Sequence, residues 1–173
     1  MASKIKVDQI QTADGSGTIA LQNQLSGMTD ASMPSGSFTK ISTAIVPNTI
    51  QYTTGSANEF LTATITVDST SDYIFAIGTI CTEMWGQSSS NPTATWSLVD
   101  NNNSTVLRQM YSHFSVSGGN NEESITITHL FNPASTGTYT VRLKMAHGQG
   151  RIAVRGNSQF TNATQLQLIY IKG

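Results

Sequence analysis

The chain has 173 residues, of which 11% are charged, with a formal net charge of −1 and one cysteine. So sparse and balanced a charge set gives nucleic acid no cationic footprint, and one thiol allows no intramolecular disulfide. Ser, Thr, Asn, Gln and Gly fill the place of the missing charges, and the length suffices to bury a core without a disulfide or a metal. No window approaches membrane-spanning length, and the first 30 residues hold no apolar block like that of an export signal. Synthesis in a cytoplasm without membrane insertion is therefore expected.

Residues 1–36 differ in character from the rest of the chain. Ile5, Val7 and Ile10 alternate with Lys4, Lys6 and Asp8 as in a short strand, and Ala13–Gly17 reads as a turn. Thr18–Gln22, carrying Ile19 and Leu21, reads as a second short strand, and 27–36 as a Ser/Thr/Gly/Met/Pro-rich linker. So few apolar residues cannot form a core, which leaves this arm either a frayed terminus or a segment ordered by a partner.

From Ser37 strand signals recur between turns. Phe38–Val46 ends at Pro47-Asn48, and Thr49–Thr53 is short. Phe60–Val67 sets Leu61, Ala63, Ile65 and Val67 on one face against Thr62, Thr64 and Thr66 on the other, as in a half-buried antiparallel strand. Tyr73–Thr82 is apolar on both faces: Tyr73, Phe75, Ile77, Thr79 and Cys81 point one way, and Ile74, Ala76, Gly78 and Ile80 the other. It reads as a central strand with one face in the core and the other against a loop or a neighbouring subunit. Strands follow at Thr93–Asp100 with Trp96 and Leu98, at Thr105–Ser112, and at Ser124–Phe131 through Ile125, Ile127, His129 and Phe131. Thr138–Ala146 turns Tyr139, Val141, Leu143 and Met145 inward and Arg142 and Lys144 outward. After a short Arg151–Arg155, Thr164–Lys172 carries Leu166, Leu168 and Tyr170 on one face and Ile169 and Ile171 on the other.

No helical period occurs. About nine or ten strands spaced at turns predict an all-β, antiparallel β-sandwich head over residues 37–173, jelly-roll-like in topology and preceded by the extended β arm 1–36. Its expected core is Leu61, Ile65, Val67, Phe75, Ile77, Trp96, Ile127, Val141, Leu143 and Leu168. One face of the terminal strand fills a sandwich, so Ile169 and Ile171 need a second cover, which copies of the same chain would supply.

Residues with chemistry are dispersed. His113, His129 and His147 lie on different strands or turns without ligand spacing, and His129 sits on an apolar row as a satisfied inward or interface histidine would. There is no G-x-S-x-G elbow and no nucleotide-binding glycine loop. Asp68 with Asp72, Asp100, and Glu122 with Glu123 fall at turns and match no metal-binding loop. No metal or other cofactor and no catalytic set is expected, so an enzyme such as a glycan depolymerase is disfavoured. Cys81 reads as a small buried residue. Trp85 and Tyr111 are candidate sugar-stacking aromatics and fit equally well at the core edge or a subunit interface.

The segment Lys4–Asn23, with Ile5-Lys-Val-Asp-Gln-Ile10 before Gly15-Ser-Gly-Thr-Ile19, resembles the opening of many tailed-bacteriophage fibre and virion structural proteins. Gly137–Val141 and the terminal Leu166–Gly173 are similar in style to phage fibre heads and to trimeric jelly rolls of the C1q/TNF type. The resemblance implies a virion protein. Its arm would attach to other virion proteins through Ile5, Val7, Ile10, Ile19 and Leu21, and its outward head would be a homotrimer, in contact near Ile169 and Ile171. Trp85 and Tyr111 would then face a host surface glycan. No repeated shaft separates arm from head, which favours a short fibre- or spike-like appendage over a long fibre. The alternative is a capsid decoration protein (cement or head fibre) that fastens the capsid and binds no receptor.

Overall fold

The computed structural model describes residues 9–11, 18–20, 33–52, 57–85, 92–101, 104–113, 120–156 and 163–173. Among them strands form and helices do not. In chain order they are β1 (Gln9–Gln11), β2 (Thr18–Ala20), β3 (Phe38–Ile45), β4 (Ile50–Tyr52), β5 (Ala57–Val67) and β6 (Tyr73–Trp85). Then come β7 (Thr93–Asp100), β8 (Val106–His113), β9 (Asn120–Phe131), β10 (Gly137–Gln149), β11 (Arg151–Val154) and β12 (Gln165–Ile171). β1 and β2 pair antiparallel with Ile10 opposite Ile19. Ile5, Val7 and Leu21 lie outside the described residues.

The remaining strands make two antiparallel sheets. One has the order β5–β10–β7–β8. In the other, β6 is central, with β9 along one edge and β12 followed by β11 along the other. Outside β12 lies β3, and outside β11 lies β4. Leaving aside the short β4 and β11, the strand orders β3–β12–β6–β9 and β5–β10–β7–β8 are the two four-stranded sheets of a jelly roll. The all-β antiparallel sandwich expected from the alternation is the fold observed.

Alternation decides which residues meet between the sheets. Leu61, Ala63, Ile65 and Val67 of β5, Trp96 and Leu98 of β7, Tyr139, Val141, Leu143 and Met145 of β10, and Leu166, Leu168 and Tyr170 of β12 are buried. Each large apolar side chain so enclosed contributes on the order of 1.5–3 kcal/mol of hydrophobic stabilisation. Phe60 meets Trp96 edge-on at 6.1 Å, and the Trp96 indole N–H, which must not be buried unpaired, donates to Ser112 Oγ at 3.0 Å.

In β6 the rows are the reverse of the expected core. Ile74, Ala76 and Ile80 are buried, and Gly78 stands on the same row. Phe75 and Ile77 face away from the opposite sheet and are half-buried, which corrects their expected place in the core. Space explains the choice. A Cβ added at Gly78 would stand 2.8 Å from Leu143 Cδ2 and 3.0 Å from Ile127 Cγ2. Leu143 from the facing sheet fills the room that a side chain at 78 would need, so the row that carries Gly78 and Ala76 turns inward and the row of Phe75 and Ile77 outward.

Where β12 gives way to β11 alongside β6, the exposed backbone is paired locally. Thr164 Oγ1 accepts from the Cys81 N–H at 3.0 Å and donates to the Cys81 carbonyl at 3.2 Å. The N–H of Arg155 reaches the same carbonyl at 2.9 Å, and Thr164 N–H donates to Arg155 O at 2.9 Å. Thr164 O in turn accepts from Val46 N–H. The chain thus leaves at Arg155 and returns at Thr164 through a small closed network.

Candidate functional site

The outward face of the β3–β12–β6–β9 sheet follows from the register. Phe38, Ile171 and Tyr73 form one row across it. Ile41, Ile169, Phe75 and Leu130 form the next. Thr43, Gln167, Ile77 and Thr128 follow, then Ile45, Gln165, Thr79 and Thr126. None of these side chains is charged, and two full rows are apolar or aromatic. Phe38 is 68% exposed and Ile41 67%, and Leu130 and Tyr73 are also exposed. Ile169 and Ile171, expected from the sequence to need a second cover, lie within this patch, half-buried. Local pattern does not group Phe38, Ile41, Phe75 and Leu130 with them, because only the register brings all six together.

Further along the same face charge returns. Glu83 on β6 lies directly opposite Glu122 on β9, an unfavourable like-charge pair. The Arg155 guanidinium answers it, bonded to Glu122 and 3.7 Å from Glu83. That bond to Arg155 holds the Glu122 carboxyl below the usual range, with burial working weakly against it. Cys81, in the next outward position, is buried, with Sγ 3.6 Å from Ser124 Oγ.

The other sheet turns a different surface outward. Thr62, Thr64 and Thr66 of β5 lie opposite Arg142, Thr140 and Thr138 of β10. Arg142 Nη1 pairs with Glu59 at 2.8 Å, and Thr62 Oγ1 donates to Glu59 at 2.7 Å. Farther across stand Ser97, Gln109 and Tyr111, the last 65% exposed opposite Thr95.

β8 and β9 are consecutive strands that belong to different sheets, and between them lies a cleft of about 450 Å³. Its rim comes from the outward rows, Tyr111 and His113 on one side and Ser124 and Thr126 on the other. Its floor comes from the inward rows, Met110 and Ser112 facing Glu123 and Ile125. Tyr111, a sugar-stacking candidate from the sequence, stands on this rim. Trp85 ends β6, and its side chain lies outside the described residues.

The turn carboxylates serve the fold. Asp72 is buried and accepts from the Tyr170 hydroxyl and from Gly173 N–H, at 2.5 and 2.9 Å. The same hydroxyl accepts from Asp68 N–H and Ser69 N–H, so Tyr170 ties the β5–β6 turn to the end of the chain. Burial raises the Asp72 pKa, but the Tyr170 bond, the Gly173 N–H, Lys172 and Lys40 together outweigh it and hold it below the ordinary aspartate value. Asp100 accepts from the Tyr139 hydroxyl, whose pKa is pushed up to about 12 by burial and by that bond. The histidines stay apart. His113 is exposed on β8, His129 is stacked on Phe131 on the inward side of β9, and His147 is buried at the end of the inward row of β10. Among the described residues no group of three His, Cys, Asp or Glu is placed to hold a metal.

The sequence matches no protein-family model and no curated protein. Solved structures show a distant likeness. The structure of infectious bursal disease virus, Gx strain, is similar over 80% of this chain and 39% of its own, at 8% identity and a TM-score of 0.47. The VP2 subviral particle of the same virus is similar over 78% of this chain and 38% of its own, at 11% identity and a TM-score of 0.42. The enzymatically active domain of tailspike protein 4 of bacteriophage CBA120 covers 79% of this chain and 18% of its own, at 15% identity and a TM-score of 0.31. The chain spans about two-fifths of the length of the bursal disease virus chains it matches.

Proposed function

We propose that the chain is a bacteriophage virion structural protein without catalytic activity: a short, trimeric, spike-like appendage, anchored by its N-terminal arm, whose jelly-roll head faces outward for host attachment. The charge-free outward face of the β3–β12–β6–β9 sheet carries this reading. A contiguous apolar patch rimmed by polar residues is what an interaction surface presents. Copies of one chain meeting through the same patch would bury like charges against one another if it held any, and its four rows hold none. The number three comes from the resemblance of Gly137–Val141 and Leu166–Gly173 to trimeric jelly rolls, and the virion location from that of Lys4–Asn23 to phage structural proteins. The Ile10–Ile19 hairpin pairing is compatible with an arm that anchors by strands.

Light scattering on the purified full-length chain tests the assembly: three times the monomer mass is expected, and a monomer at micromolar concentration refutes it. Electron microscopy of particles carrying labelled protein tests the place. Label at the tail agrees with the appendage; label spread over the capsid surface identifies a decoration protein instead.

A further inference from the structure

We propose that the cleft between β8 and β9 is a carbohydrate-binding site for an uncharged oligosaccharide. Its volume of about 450 Å³ lies within the range of ligand pockets, roughly 300–1,000 Å³. Its chemistry matches that of a sugar. A pyranose has one face of C–H groups and a rim of hydroxyls, so it binds where an aromatic face stands beside convergent hydrogen-bonding groups. Tyr111 supplies the ring, 65% exposed on a rigid strand rather than on a loop. Across the mouth Ser124 and Thr126 offer hydroxyls that both donate and accept, and from the floor Glu123 offers a carboxylate that accepts. Of the floor residues Met110 and Ile125 are apolar, with Ile125 buried, and give the C–H face of a sugar an apolar contact.

Charge narrows the ligand class. Inside the cleft the acidic side chain is Glu123; His113 stands on the rim, and Arg108 lines the adjoining hollow that shares Met110 and Thr126 with it. An acidic sugar seated in the cleft would meet the Glu123 carboxylate at close range with Arg108 only in the hollow beyond, so neutral hexose or N-acetylhexosamine units fit better than sialylated or phosphorylated ones. The two apolar rows of the self-association face lie towards the other end of β9, at Leu130, and Glu123 and Ser124 of the cleft lie beyond the last of its four rows, at Thr126. The sugar site rests on this chemistry alone; that the sugar belongs to a host surface rests on the attachment role proposed above.

The test is saturation-transfer NMR on the full-length protein with maltotriose, cellotriose, chitotriose and lactose as neutral probes and sialyllactose as an acidic one. Saturable binding of at least one neutral probe is expected, with sialyllactose weaker. Tyr111→Ala should weaken it by about tenfold. Ser124→Ala should weaken it less, and Thr64→Ala on the opposite sheet should leave it unchanged. Tyr111 is exposed, so its loss leaves the fold intact, which circular dichroism checks. Absence of binding by all four neutral probes, binding unmoved by Tyr111→Ala, or a preference for sialyllactose overturns the proposal. Light scattering on the same samples keeps the readings separate. A trimer that binds no sugar refutes this site alone, and a monomer that binds sugar refutes the assembly alone.

Discussion

The outer face of the β3–β12–β6–β9 sheet and that of the β5–β10–β7–β8 sheet arise from the same two-residue alternation and are chemically opposite. On β5 and β10 the outward positions hold Thr62, Thr64, Thr66, Thr138, Thr140, Arg142 and Lys144. Threonine keeps a strand's stiffness at χ1 while presenting a hydroxyl to water, and the charges forbid close approach of another copy. On β3, β12, β6 and β9 the first two outward rows hold Phe38, Ile171 and Tyr73, then Ile41, Ile169, Phe75 and Leu130, before Thr and Gln enter the next two. Alternation therefore tells which residues leave the core, and the chemistry of the outward row tells whether they go to solvent or to a partner.

The largest effect that separates the two faces is on assembly. Ile169→Asp with Ile171→Asp should abolish the trimer, whereas Thr62→Asp with Thr64→Asp on the other sheet should leave it intact; light scattering on both double variants decides. If both assemble normally, the apolar face is not the interface. Deleting residues 1–36 should remove the chain from particles, as read by immunoblot of purified virions, without changing the strand-rich circular-dichroism spectrum.

Next in size are changes in the layer that joins the sheets. Leu143→Ala should cost ~2–5 kcal/mol in denaturant unfolding, since it empties a site enclosed on all sides. Gly78→Ala should cost ~1–3 kcal/mol by crowding Leu143. The two together should cost less than their sum, because the new methyl occupies space that Leu143 has vacated. Strict additivity would mean that the two positions do not compete for the same volume. Phe75→Ala sharpens the comparison: half-buried on the outer face, it should cost less in the dissociated chain than the ~3–5 kcal/mol of a core phenylalanine, and more in the assembled one.

Smaller effects come from the tyrosine–aspartate pairs, which hold turns and touch neither face. Tyr170→Phe should cost about 1–3 kcal/mol by leaving the buried Asp72 short of a donor. Because the Asp72 pKa is lowered by folding, its stabilisation is full above the unfolded value of ~3.9 and is lost as pH falls through the folded one. Acid unfolding of Tyr170→Phe should accordingly be less steep than that of the parent. At the alkaline end the raised Tyr139 and Tyr170 work in the opposite sense. Their contribution is full below ~10 and declines as pH rises towards the folded value, about 12 for Tyr139, which absorbance titration of the folded protein checks.

The sandwich was legible because β5, β10 and β12 each hold one uniformly apolar row. β6 was not, because both of its rows are apolar. The deciding fact, the approach of Leu143 to Gly78, joins strands far apart in sequence, and local pattern favours bulky residues for a core. The self-association patch was legible only in part. Ile169 and Ile171 stood out as a surplus apolar row, but Ile41, Phe75 and Leu130 join them through register alone. The cleft could not be read at all, since its walls look like an ordinary hairpin until β8 and β9 are assigned to different sheets. Tyr170 and Asp72 are 98 positions apart, beyond the reach of any local motif.

The network around Thr164 has a consequence for engineering. Because Cys81, Arg155 and Thr164 satisfy one another's backbone groups, the two ends of the connection from β11 to β12 are clamped whatever sequence runs between them. Lengthening a connection whose ends are already fixed costs little entropy, about 0.6 kcal/mol for each doubling. A peptide epitope grafted after Gly156 would therefore be displayed by a scaffold whose two sheets stay as they are.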